Sequence, residues 1–156
     1  MINHTPIKRN ESLKQLSRDH HHALLLCWKI RKGLKQNVKP SRIRLYVELF
    51  YYEHLTQHFW EEETHLFPLL GADDANVKRA IREHRRLERL ILGEQDDLKA
   101  ISLVEEELEA HVRFEERTLF IILQEKVSEQ KLLEVLGHQK STDSKRLDDW
   151  PDRFWE

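Results

Sequence analysis

Over residues 11–36 the apolar and histidine positions Leu13, Leu16, His20, Ala23, Cys27, Ile30 and Leu34 recur at steps of three and four. That spacing is one face of a helix at about 3.6 residues per turn. NVKPS predicts a break, because Pro40 disfavours helix at Lys39 and Ser41 is a suitable N-cap. A second helix is then expected over 42–65, closed by Pro68 and Gly71. Asp73 or Asp74 caps a third, with Val77, Ile81, His84, Leu87 and Ile91 on one face and Gly93 at its end. Asp96 or Asp97 opens a fourth, in which Ile101, Val104, Leu108, His111, Glu115, Leu119 and Ile122 stay in phase. A short fifth helix starts after Ser128 and runs to about Leu136, and the tail SKRLDDWPDRFWE reads as irregular. No strand-like alternation competes. The pattern therefore predicts an all-α fold, an antiparallel up-down-up-down four-helix bundle with a short C-terminal helix and an aromatic tail. Trp150, Phe154 and Trp155 are expected to plug one bundle end, with a homodimer contact as the rival reading.

Composition narrows this picture without changing it. At 156 residues the chain reads as a single domain, 1–156, with its core at about 11–125 and a C-terminal helix and tail over 128–156. A net charge of −2 with 35% charged residues offers no global field for nucleic acid or an anionic membrane. One cysteine, Cys27, excludes an intramolecular disulfide and is compatible with a reducing compartment. The N-terminal MINHTPIKRNES lacks the apolar run of a secretory signal, and no stretch has the roughly 20 apolar residues of a membrane helix. A cytoplasmic location is the default expectation.

Candidate chemistry enters through a duplication. HFWEEETHLF, from His58, and HVRFEERTLF, from His111, share the pattern His-x-x-x-Glu-Glu-x-x-Leu-Phe. Arg18-Asp19-His20 precedes the first and Arg82-Glu83-His84 the second. In both halves the His and Glu lie one turn apart on the apolar face, so an imidazole and a carboxylate can converge on one ion. A buried unpaired glutamate is costly, so Glu62 and Glu115 on interior faces need a cation. Packing the four helices together would gather four histidines and two carboxylates, a set that suits two metal ions. Without metal, the crowded centre is expected to loosen the bundle. Nitrogen and oxygen donors without thiolate favour iron or manganese, and zinc could also bind.

From Leu13 to Leu123 the chain resembles the hemerythrin-like, or HHE cation-binding, family. The resemblance rests on His20 in LSRDHHHAL, His58 and Glu62 in HFWEEETHLFP, His84 in REHRRL, and His111 and Glu115 in HVRFEERTLF. It implies a four-helix bundle around an oxo- or hydroxo-bridged di-iron centre, with both glutamates bridging and dioxygen, nitric oxide or peroxide at an open position. Oxygen-carrying members have a further histidine one turn before the third-helix ligand, where this chain has Ala80. They also place an Asp five residues after the last histidine, where this chain has Glu116. The branch with four histidines and two glutamates is the closer likeness.

Other residues keep plainer readings. His21 is the replacement should His20 not face inward. His54, one turn before His58, reads as a core histidine, with ligation as the alternative. Glu63, Glu116 and His65 are expected to be solvated or to hydrogen-bond ligands, and Cys27 to be packing. Lys78, Arg79, Arg82, Arg85, Arg86 and Arg89 read as a solvated or charge-paired face rather than a nucleic-acid stripe, since the fourth helix carries Glu105, Glu106, Glu107 and Glu109. Leu24, Leu55, Leu87 and Leu108 are expected to restrict access to molecules of a few atoms. Binding, sensing or iron handling is favoured over a redox enzyme, because no flavin or nicotinamide motif and no substrate loop is legible. A helical nucleic-acid binder comes last.

Overall fold

The computed structural model describes residues 9–137, 139 and 144–156, so most of the N-terminal MINHTPIKRNES lies outside it. Among the described residues the chain is all-helical. A 3-10 turn, Glu11–Leu13, leads into α1, Lys14–Lys35. The second helix, α2, spans residues 40–66 and alternates α-helix (Pro40–Phe50, Thr56–Glu61) with π-helical turns (Tyr51–Leu55, Glu62–Leu66). Then come α3, Ala75–Leu92, and α4, residues 97–126, in which a π turn, Glu115–Leu119, separates Asp97–Phe114 from Phe120–Lys126. Two short helices complete the chain, α5 (Glu129–Leu136) and α6 (Lys145–Asp148).

The boundaries have local causes. Asp74, Asp96 and Ser128 accept hydrogen bonds from the backbone N–H groups that open α3, α4 and α5, as the pattern predicted. The break at NVKPS works differently. Asn37 takes a left-handed φ of 57° while Val38 N–H donates to Gly33 and Asn37 N–H to Leu34, which closes α1 through its last carbonyls. Pro40 then opens α2 at its first position, where its missing N–H costs nothing, so Ser41 is inside the helix and not its cap. The tail is also less irregular than expected, since α6 forms within it.

The apolar faces assemble into two clusters. One combines Cys27, Ile30, Ile43, Val47, Leu90 and Val104 with tail residues Leu147, Phe154 and Trp155. Gly33 makes room for that tail: a Cβ there would sit 2.9 Å from the Phe154 ring. The other cluster joins Leu13, Leu16, Leu66, Val77, Leu119 and Phe120 to Leu132 and Leu136 of α5. Along every long helix the step from one cluster to the other falls at or beside a polar residue. His20 lies between Leu16 and Ala23 and His84 between Ala80 and Leu87, while on α4 the clusters meet at Val112 and Phe114, flanked by His111 and Glu115.

Arg44 is a buried charge that the sequence pattern did not mark. Its guanidinium donates to the carbonyls of Ile91, Gly93 and Gln95 at 3.2, 2.5 and 2.5 Å and to the Asp97 carboxylate at 3.0 Å. It thus satisfies the end of α3 and fixes the turn into α4. Arg44→Met should lower unfolding free energy by about 2 kcal/mol. The check is a drop in urea midpoint without a change in slope.

Candidate metal centre

All six residues expected from the repeat are brought together. Glu62, Glu115 and His84 are 0% exposed, and His20, His58 and His111 no more than 5%. His20 Nε2 lies 3.1 Å from Glu115 Oε1 and 3.1 Å from His58 Nε2. His58 Nε2 and His84 Nε2 are each 3.2 Å from Glu62 Oε1, and His111 Nε2 is 2.9 Å from Glu115 Oε1. Their donor atoms form two groups that could hold a metal ion, His20–His58–Glu62–Glu115 and Glu62–His84–His111–Glu115. Both glutamates belong to both groups.

A ring of carboxylates orients the histidines. Asp19 on α1 lies 3.1 Å from Nδ1 of His58 on α2, Glu63 on α2 2.7 Å from Nδ1 of His84 on α3, and Glu83 on α3 2.8 Å from Nδ1 of His111 on α4. Glu116 on α4 approaches Nδ1 of His20 on α1 at 3.5 Å, which closes the circuit. When Nδ1–H donates outward to a carboxylate, the Nε2 lone pair is left facing the centre. Each carboxylate is itself held by a second donor: Gln15 on Asp19, Arg85 on Glu63, Arg79 on Glu83, Ser17 on Glu116.

The repeated Leu-Phe has a place in the same scheme. Phe67 stacks on His84 and Phe120 on His20, at 5.7 and 5.2 Å between ring centroids. Each aromatic thus covers a histidine of a neighbouring helix. The π turns aim these residues: Phe67 N–H donates to Glu62 and Phe120 N–H to Glu115, so one extra residue enters each helix at the glutamate. That insertion also explains why Phe120 and Leu123 are buried while Ile122, expected in phase, is only partly so.

Charge is strongly coupled here. Burial pulls the His58 pKa down, but Glu62 and Asp19 outweigh it and raise the group well above its usual value. The same opposition lifts His111 to about 10, with Glu115 its main partner. Burial pushes Glu115 up, yet His111 and His20 hold it well below the carboxylate range. Even so, both oxygens of Glu62, Oε2 of Glu115 and Nε2 of His84 and His111 find no hydrogen bond among the described residues. Converging, buried donors that do not satisfy one another fit a shared cation.

The sequence profile of the hemerythrin HHE cation binding domain matches residues 11–120. The chain belongs to the hemerythrin HHE cation-binding family. No curated protein and no solved structure gave a significant match. Within this HHE domain, His21 and His22 are exposed, and His54 is buried but outside both donor groups. His65 is half-buried, 4.0 Å from Glu61 and edge-on to Trp60, away from the centre. Cys27 is buried and its thiol is pushed up to about 12 by burial, which makes it packing. Arg86 pairs with Glu107 of α4, as expected from the acidic fourth helix, whereas Arg79 and Arg85 pair within α3 with Glu83 and Glu88. No helix among the described residues is long and apolar enough to cross a membrane.

Asp19 and Glu83 are the functional residues that sequence reasoning passed over. Their signal was present, an acid immediately before His20 and before His84, but their partners lie on the next helix. Asp19→Asn and Glu83→Gln should each lower metal affinity about 10- to 100-fold. Competition titration against a chelator measures this, and wild-type affinity in both variants would refute the orienting role.

Proposed function

We propose that this protein holds two iron ions and binds a small molecule such as dioxygen or nitric oxide at them, inside a bundle whose long helices alternate in direction up-down-up-down. The observation that carries this reading is the sharing of Glu62 and Glu115 by both donor groups. Each carboxylate has two oxygens and could span two ions, while His20 and His58 would hold one and His84 and His111 the other. Four imidazoles and two carboxylates shared between two ions would supply about eight of the about twelve bonds that two six-coordinate ions take. Room for an exogenous ligand remains. Iron suits these imidazole and carboxylate donors, with manganese and zinc as the other candidates.

A bound iron pair supplies one-electron chemistry and open coordination positions. The chain supplies orientation, through Asp19, Glu63 and Glu83, and exclusion of bulk water. A cavity walled by His20, His58 and His111 opens about 10 Å³ to the centre of a water molecule, space for roughly one water. Leu55 and Leu108 line it as expected, but Ala23, Phe50, Phe59 and Val112 complete the wall in place of Leu24 and Leu87. So small and apolar a space favours molecules of a few atoms.

Protein purified anaerobically and reconstituted with ferrous iron is expected to hold two irons per chain. After oxidation, azide should produce a saturable charge-transfer absorption band, and after reduction nitric oxide should bind. One iron per chain would overturn the paired site. Full loading with no response to azide or nitric oxide would leave a closed storage site, and repeated turnover of oxygen or peroxide with a reductant would make the same centre a redox enzyme.

A further inference from the structure

His54 is as buried as the histidines of the centre, yet it belongs to neither donor group. Nδ1 of His58, His84 and His111 is tied to a carboxylate. Nδ1 of His54 is buried with no hydrogen-bond partner among the described residues. Its ring is flanked by other rings, Phe50 at 5.1 Å and the exposed His22 at 5.7 Å.

Two cavities meet at this residue. The inner one reaches His20, His58 and His111. The outer one, with about 60 Å³ of space for water centres, lies among His22, Lys29, Tyr46 and Asp148. Phe50 and His54 line both, so they are the partition between them.

The backbone marks the same place independently. The π turns at Glu62 and Glu115 correspond to each other in the repeat, but the turn Tyr51–Leu55, which carries His54, has no counterpart. The matching residues 104–108 are regular α-helix, and the residue matching His54 is Glu107, which pairs with Arg86. π turns inside helices are frequent at functional sites, and one inserted residue rotates the rest of the helix by about 100°.

We infer that small molecules reach the centre by passing between Phe50 and His54, and that the His54 ring turns to admit them. The inference rests on the small-molecule reading of the centre. Turning His54 breaks no hydrogen bond at Nδ1, whereas turning His58, His84 or His111 separates the ring from its carboxylate. The inner chamber holds about one water, so the turn of the ring sets the rate of passage.

Two measurements test this. In iron-loaded, oxidised protein, His54→Ala should raise the azide association and dissociation rate constants together, about tenfold, and leave equilibrium affinity within about twofold. His54→Trp should lower both rate constants by a similar factor, and Tyr52→Ala, on the exposed face of the same turn, should change neither. Unchanged rate constants in both His54 variants overturn the passage, and so does a change in affinity with association unaltered. The second measurement needs no metal: crystals of the metal-free protein exposed briefly to pressurised xenon should show it in the inner chamber, at higher occupancy in His54→Ala. Equal occupancy in His54→Ala and wild type, or xenon in neither, overturns the passage. A chain that loads no iron refutes the proposed di-iron function while the xenon comparison still decides the route.

Discussion

Glu115→Ala should empty both metal positions, and Glu62→Ala should do the same, whereas Glu63→Ala and Glu116→Ala should weaken binding only about 10- to 100-fold. The asymmetry comes from placement. Glu62 and Glu115 are fully buried and belong to both donor groups, so deleting either removes a donor from each group. Glu63 and Glu116 are partly exposed and act through His84 and His20. Glu115→Ala also leaves the raised imidazole of His111 without its main counter-charge, and breaking a buried pair costs about 3–5 kcal/mol. Glu115→Gln, which keeps the volume, separates lost ligation from lost packing. Metal content after identical anaerobic loading is the measurement. If Glu116→Ala empties the site and Glu115→Ala does not, the register of α4 about the centre is wrong by one residue.

Much of this was legible from the spacing of residues. The four long helices are written in apolar steps of three and four, and their caps at Asp74, Asp96 and Ser128 in side chains that accept backbone N–H groups. The six inward residues are written as a repeat on apolar faces. The π turns did not show, because one extra residue in a helix leaves the composition around it unchanged and betrays itself only as a phase slip at Phe120 and Leu123. Arg44 did not show either, since a lone arginine among apolar residues reads like any half-buried one until α3 ends beneath it. The orienting carboxylates illustrate a third limit. Asp19 adjoins His20 in the chain but serves His58, and Glu83 adjoins His84 but serves His111. Sequence order gives the residue types at a site, and the packing of helices decides which acid meets which base.

Because Glu62 and Asp19 hold a proton on His58, and Glu115 and Glu83 one on His111, metal should stabilise the fold far more at pH 8 than at pH 6. Ligation requires neutral imidazoles, so each raised histidine must release a proton to bind. In the metal-free protein His111, raised to about 10, contributes stability that is complete below pH 6.5 and lost as pH rises toward 10, and His58, also raised, acts in the same direction. Glu115, depressed, contributes stability that is present above pH 4.5 and lost as pH falls through its lowered value. Buried pairs are therefore intact between about pH 4.5 and 6.5 and weaken above, so the loosening expected of the metal-free bundle is an alkaline effect. Metal binding runs the other way. His20 is raised too, so at least the two protons of His58 and His111 are displaced, and apparent affinity rises at least about a hundredfold per pH unit, or about ten-thousandfold from pH 6 to 8, equivalent to about 5.5 kcal/mol. For a chain of this length that is a difference in melting-temperature gain on the order of 10 °C. Zinc or manganese, which avoid oxidation during the scan, can be used at fixed free concentration. Calorimetry in buffers of different ionisation enthalpy should count at least two protons released per chain on loading. A melting-temperature gain that is flat between pH 6 and 8, with heats independent of buffer, would mean that His58 and His111 are already neutral in the metal-free fold and that Glu62 and Glu115 do not hold protons on them.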